Sequence, residues 1–318
     1  MRSLLCGVLV LLTLFSCKKK EKNKVDVSNI SIETKVARFE VDFYSGTEKT
    51  LPSIKKKYPI MFPHNIDSVW VRKMKDKDEQ QLFAETQKIY KDFTDVEKQL
   101  EELFQHVTYY NPNFKTPVVI TTLSNVDYNN RLIYNGEYMV ISLDVYLGED
   151  HEFYGTFPKY IKINNTKDHI IVDAANAIIS KQITPSVGRT FLSKMVEAGK
   201  KMYLLDVYLP NISDKEKMGY STEKYNWVLN NEDGVWRYFI ENNLLYSTDS
   251  KLNKRFLDLA PFSKFYLESD NETPGQVGVY IGWQIVRAYM QNNDVSLQQL
   301  MKANAEEIFK KSKYKPKR

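Results

Sequence analysis

The pattern of apolar and polar residues divides the chain into an apolar leader, a charged link and a long body of alternating elements. Leu4 to Phe15 is almost wholly apolar. That run is too short to span a bilayer, which takes about 20 residues. In the body, residues 34 to 44 (ETKVARFEVDF) alternate partly in hydrophobicity and predict a strand. Residues 58 to 71 carry two prolines and predict an irregular segment closing on Val69-Trp70-Val71. Residues 78 to 107 place Leu82, Phe83, Ile89, Tyr90, Phe93, Val96, Leu100, Leu103, Phe104 and Val107 at helical spacing, and Asn111-Pro112-Asn113 ends the run.

Two strands are predicted next. Pro117 to Leu123 is rich in β-branched residues, and Tyr138 to Leu147 follows a turn signal at Asn135-Gly136. After Gly155 the periodicity predicts helices near 168–181, 188–208, 223–230, 232–245, 251–258, 274–291 and 296–312. Ser296 with Gln299 has the spacing of a capping box. Gly278 and Gly282 lie four apart on one helix and leave a face without side chains, which suits close approach of another helix. With no internal repeat and no second linker, the organisation read from the chain is a signal peptide over 1–16, a lipidated flexible tether over 17–30, and one globular domain over 31–318 with a basic tail. The fold class is α+β, mostly α-helical, with a small antiparallel sheet.

The leader has the order of a secretory signal: Met1-Arg2, the apolar run, then the small residue Ser16 and Cys17. Leu14-Phe15-Ser16-Cys17 resembles a bacterial lipobox, in which the cysteine becomes the new N-terminus and takes up acyl chains such as palmitate. Each buried CH₂ contributes about 0.8 kcal/mol, so two or three chains hold where one does not. The run KKKEKNK after Cys17 suits anionic head groups. Cys6 leaves with the signal, so the body contains no cysteine, no disulfide and no thiol chemistry. A body of about 290 residues is long enough for one large core. The 42% hydrophobic content of the whole chain fits a globular protein. The net charge of +5 sits largely in the tether and in the tail KKSKYKPKR, read as solvated termini rather than nucleic-acid sites.

Candidate chemistry is sparse. The four histidines, His64, His106, His151 and His169, all stand more than five residues apart. H-E-x-x-H, which puts two imidazoles on one metal from one helix face, is therefore absent. So are the G-x-S-x-G elbow and the P-loop. Gly148-Glu149-Asp150-His151-Glu152 groups three carboxylates with an imidazole, a set able to hold a cation but also an ordinary polar turn after a strand.

The stretches ARFEVDFYS, SLDVYLGEDHEFY, IIVDAANAIISKQI and TPGQVGVYIGWQIVRAYM resemble the GldB family of gliding-motility lipoproteins of the Bacteroidetes, over essentially the whole length. The resemblance extends distantly to predicted zinc peptidases that carry H-E-x-x-H on one helix and a glutamate ligand on the next. It implies a zincin-like body in which that motif falls on Asp173-Ala174-Ala175-Asn176-Ala177. Ala174 then stands at the base position and Ala177 at the second ligand position, with Glu197 on the next helix. Two carboxylates without imidazole or thiolate do not make the usual zinc shell. The resemblance thus implies a vestigial site, no metal and no cofactor. It further implies contacts with other gliding-machinery or type IX secretion proteins. Lys18, where an aspartate would mark retention in the inner membrane by resemblance to enterobacterial sorting, and a basic rather than acidic run after Cys17 predict the periplasmic face of the outer membrane. The competing expectation is a metallopeptidase with an atypical site drawn from His151, His169 and Glu197.

Overall fold

The computed structural model describes residues 25–63, 66–183 and 188–317. The first half holds β1 (Val36–Arg38), α1 (Phe39–Tyr44), α2 (Leu51–Lys57), α3 (Asp67–Lys75), α4 (Lys77–Tyr90), α5 (Thr94–Tyr110), β2 (Val118–Thr122), β3 (Leu132–Tyr134) and β4 (Tyr138–Ser142). The second half is helical: α6 (Lys159–Lys162), α7 (Ile170–Gln182), α8 (Phe191–Tyr208), α9 (Asp214–Met218), α10 (Thr222–Glu241), α11 (Lys251–Phe256), α12 (Val277–Asn292), α13 (Leu297–Lys302) and α14 (Ala305–Ser312). The fold is α+β and mainly α.

The sheet is mixed, not antiparallel. Its order is β1-β2-β4-β3, with β1, β2 and β4 parallel and the edge strand β3 antiparallel. Among the described residues five α-helices, α1 to α5, separate β1 from β2, which gives the chain the long crossover that parallel neighbours need. The hairpin joins β3 to β4 at the Asn135-Gly136 turn. Gly136 takes φ 104°, and Asn135 Oδ1 accepts from the amides of Glu137 and Tyr138. Successive side chains of a strand face opposite ways. Val119, Met139 and Ile141 accordingly enter one core, with residues of α5, α7, α8 and α12. Ile120, Tyr138 and Val140 enter a second cluster with Phe39, Phe43, Leu51, Ile54, Met74 and Leu82 from α1 to α4. Burial on both faces is the usual setting of parallel strands.

Several predicted boundaries move for local reasons. The strand expected over 34–44 stops at Arg38. The spacing of Phe39 and Phe43 fits one helical turn as well as alternation, and packing decides: the rings stack at 5.1 Å. Glu40 then turns inward, bound by Arg38 Nε at 2.7 Å and by the Thr121 hydroxyl at 2.5 Å. The long helix expected over 78–107 breaks between α4 and α5, where Asp92 accepts from the Thr94 amide. Val69-Trp70-Val71 is helical, because Trp70 packs edge-on to Phe62 at 4.8 Å. The two helices expected over 223–245 are one, α10, and the one expected over 296–312 is two, the second opened by Asn304 accepting from the Glu307 amide. The Ser296–Gln299 capping box is formed in both directions. The basic tail packs down: Tyr314 meets Trp236 edge-on at 5.3 Å and donates to the buried Glu232 carboxylate at 2.8 Å.

Candidate functional site

α7 begins after a 3-10 turn, Lys167–His169, and lies beside β3 and α8. Asp173 stands in its first turn, where a carboxylate complements the helix dipole. His169 is four residues earlier, on the same face. The Asp173 carboxylate accepts the Tyr146 hydroxyl at 2.8 Å and Arg131 Nη1 at 3.4 Å, and lies 3.7 Å from His169 Nε2. His169 Nδ1 is 2.7 Å from Glu216 Oε1 on α9. The row Glu216–His169–Asp173 therefore ends on Tyr146 and Arg131. Arg131 also donates to the backbone oxygens of Tyr128 and Asn164 and to Asn165 Oδ1, and sits over the Tyr146 ring. Its own carbonyl accepts from the Ser142 amide at 2.9 Å. One guanidinium thus ties the entry of edge strand β3 to the start of α7.

Burial and the neighbouring Asp173 charge raise the Tyr146 hydroxyl well above its ordinary range. That group donates a hydrogen bond and does not ionise. Glu216 is held below its ordinary value of 4.5 by the hydrogen bond to His169, which outweighs the effect of burial. A carboxyl depressed in the folded state adds stability above its unfolded value, and that stability is lost as pH falls through the folded value. Glu216→Gln should therefore flatten the fall in melting temperature below about pH 4.5 relative to the parent chain. Parallel melting curves for the two proteins across that range would show that the pair contributes nothing.

Ala174 is fully buried and Ala177 half-buried; a methyl group offers neither a lone pair nor a proton site. Glu197 pairs with Lys200 at 2.9 Å, and that buried ammonium also donates to the Ala303 carbonyl. Asp173 and Glu197 thus keep separate cationic partners. The atypical set is not brought together either. His151 lies 3.7 Å from Glu85 and accepts from the Phe153 amide, His169 holds Glu216, and Glu197 holds Lys200. Glu149, Asp150 and Glu152 are exposed, with Asp150 near Lys162, so this segment is a solvated turn. Among the described residues no group of three or more His, Cys, Asp or Glu side chains is arranged to hold a metal ion. Cys17 and His64 lie outside the described residues.

Arg131, Tyr146 and Glu216 were not singled out from sequence. Tyr146 falls within one of the resembling stretches, whereas Arg131 and Glu216 sit in segments with no periodicity or motif.

Among the described residues no helix is long and apolar enough to cross a membrane. No curated protein and no solved structure matches the chain. The stretches that resemble a family of lipoproteins supply Glu40, Asp144, Tyr146, Asp173, Gly282 and Arg287, each placed in a buried or half-buried contact of the fold. The model of the family described as gliding motility protein GldB matches residues 20–316, and the chain belongs to that family.

Proposed function

We propose that this chain is a non-catalytic component of the gliding machinery. It is anchored through acylated Cys17 at the periplasmic face of the outer membrane and acts by contact with other gliding or type IX secretion proteins. The family's tie to gliding motility is the starting point. The observation that carries the non-catalytic reading is the state of α7. Where a zinc peptidase needs two imidazoles and a general base, this helix presents Asp173 already engaged by Arg131 and Tyr146, and two methyl groups.

The surroundings support a peptidase-like body that binds without cutting. β3 is an antiparallel edge strand with α7 packed beside it and α8 next in line. Ile133 in its centre is 52% exposed. An extended partner segment adds to such an edge through backbone hydrogen bonds, with affinity that needs no catalytic group.

Glu197→Gln separates binding from catalysis, because glutamine still accepts from the buried Lys200 ammonium. Cells carrying this variant as their only copy should spread on agar as the parent does, while cells lacking the gene should not. Lost spreading, with the purified variant melting at the parent's temperature, would overturn the non-catalytic reading.

A further inference from the structure

The described chain starts as a strap laid on α5. Val27 is 8% exposed, the Ile30 amide donates to the Val27 carbonyl, and Gln105 Nε2 donates to the Ile30 carbonyl at 3.0 Å. The strap shares a groove with Glu102, Gln105, His106, Pro210 and Asn211. This is where α5 and α8 both end. Tyr110, closing α5, meets Tyr208, closing α8, at 6.2 Å between ring centroids. The opposite end of α8 is Phe191, which meets Phe239 at 5.1 Å and Phe256 at 5.8 Å, with Phe265 beyond Phe256 at 5.1 Å. α8 has 18 residues, so the two ends stand about 27 Å apart at 1.5 Å per residue.

We infer that the end carrying the Val25–Ser28 strap, Tyr109 and Lys115 lies against the lipid head groups, and that the Phe265–Leu267 end is turned away from them. The inference rests on acylation of Cys17. Val25 stands eight residues after Cys17. Fully stretched, that length of chain spans at most about 28 Å. Seating the far end on the bilayer would require the link to run taut along the whole flank, whereas the strap end needs only a slack one.

The chemistry of the two ends agrees. Tyr109 is 48% exposed on the rim of the strap end and packs edge-on to Tyr110. Tyrosine rings settle at the head-group level of a membrane. Lys115 is exposed five residues past α5, and Lys18, Lys19, Lys20, Lys22 and Lys24 fill the link, a charge that complements anionic head groups. At the far end Tyr266 is 73% and Leu267 60% exposed, on a loop whose three successive amides, Phe265 to Leu267, all donate to the Asp270 carboxylate.

The processed chain has no cysteine other than the acylated one, so single labels are clean. Tyr109→Cys, Lys115→Cys and Tyr266→Cys would each carry a fluorophore. The acylated proteins would be placed in phosphatidylethanolamine–phosphatidylglycerol vesicles containing a nitroxide-headgroup lipid. Labels at 109 and 115 should be quenched severalfold more strongly than the label at 266. Equal or stronger quenching at 266, in protein that floats with the vesicles, would overturn the orientation and leave the anchor standing. Unlabelled protein that fails to float would overturn both.

Discussion

Gly282→Ala should leave the chain unfolded at growth temperature, or destabilise it by at least about 3 kcal/mol, the upper end of the usual cost of overpacking. The added methyl carbon would stand 1.9 Å from the Met195 carbonyl oxygen, and one on Gly199 would stand 2.2 Å from the Gly282 oxygen. Most overpacked sites relax by turning a side chain. Here backbone meets backbone, so the whole of α12 would have to move off α8. Ile281, Trp283, Ile285 and Val286 are all fully buried along that seam, and separation would open the centre of the larger core. Gly234→Ala is the control. A methyl there meets nothing within 4 Å in the middle of α10, so it should stabilise by about 0.5–1 kcal/mol through helix propensity alone. Urea denaturation of both variants decides the matter. A midpoint for Gly282→Ala close to the parent's would mean that the two helices are not locked together.

That seam also marks how far the sequence could be read. Two glycines four apart on α12 announce a bare helix face, and the structure puts the α8 backbone on Gly282 and the end of α11, with the Phe191 ring, on Gly278. The matching Gly199 is isolated within its own helix and gives no such sign. Local chemistry was equally legible at Ser296–Gln299 and at Asn135-Gly136, where a side chain or a φ preference acts within three residues. β3 was invisible because three residues cannot establish a period. The parallel register was missed because pairing direction depends on crossover topology. At the candidate site the same divide holds. Asp173, Ala174, Ala177 and Glu197 came from the order of helices in a resembling family. Arg131 and Tyr146 reach Asp173 across 42 and 27 residues, and Glu216 reaches His169 across 47, separations at which an ion pair leaves no periodic trace.

Asp206→Ala should cost about 3–5 kcal/mol, the range for removing one partner of a buried ion pair. Asp206 is 3% exposed on α8. It accepts from Arg287 Nη2 at 2.6 Å and Nε at 2.7 Å, from Trp283 Nε1 at 2.9 Å and from Lys217 Nζ at 3.1 Å. Arg287 turns its remaining edge to Asp214, at 2.6 and 2.8 Å, and lies 3.7 Å over the Trp283 ring. Two carboxylates thus balance two cations between α8, α9 and α12. Burial works to raise the Asp214 carboxyl, but the hydrogen bonds and charge of Arg287 hold it below its ordinary value. Without Asp206 the buried Lys217 ammonium loses its carboxylate and the indole N–H its acceptor, so the loss is desolvation left uncompensated rather than one bond removed. Asp206→Leu combined with Arg287→Leu tests this account. The double change leaves Lys217 and Asp214 to neutralise one another, so its cost should fall short of the two single costs combined by about 0.5–3 kcal/mol, the coupling expected of contacting partners. Strictly additive costs would mean that the four groups act independently, and the seam between α8 and α12 would then be held by packing alone.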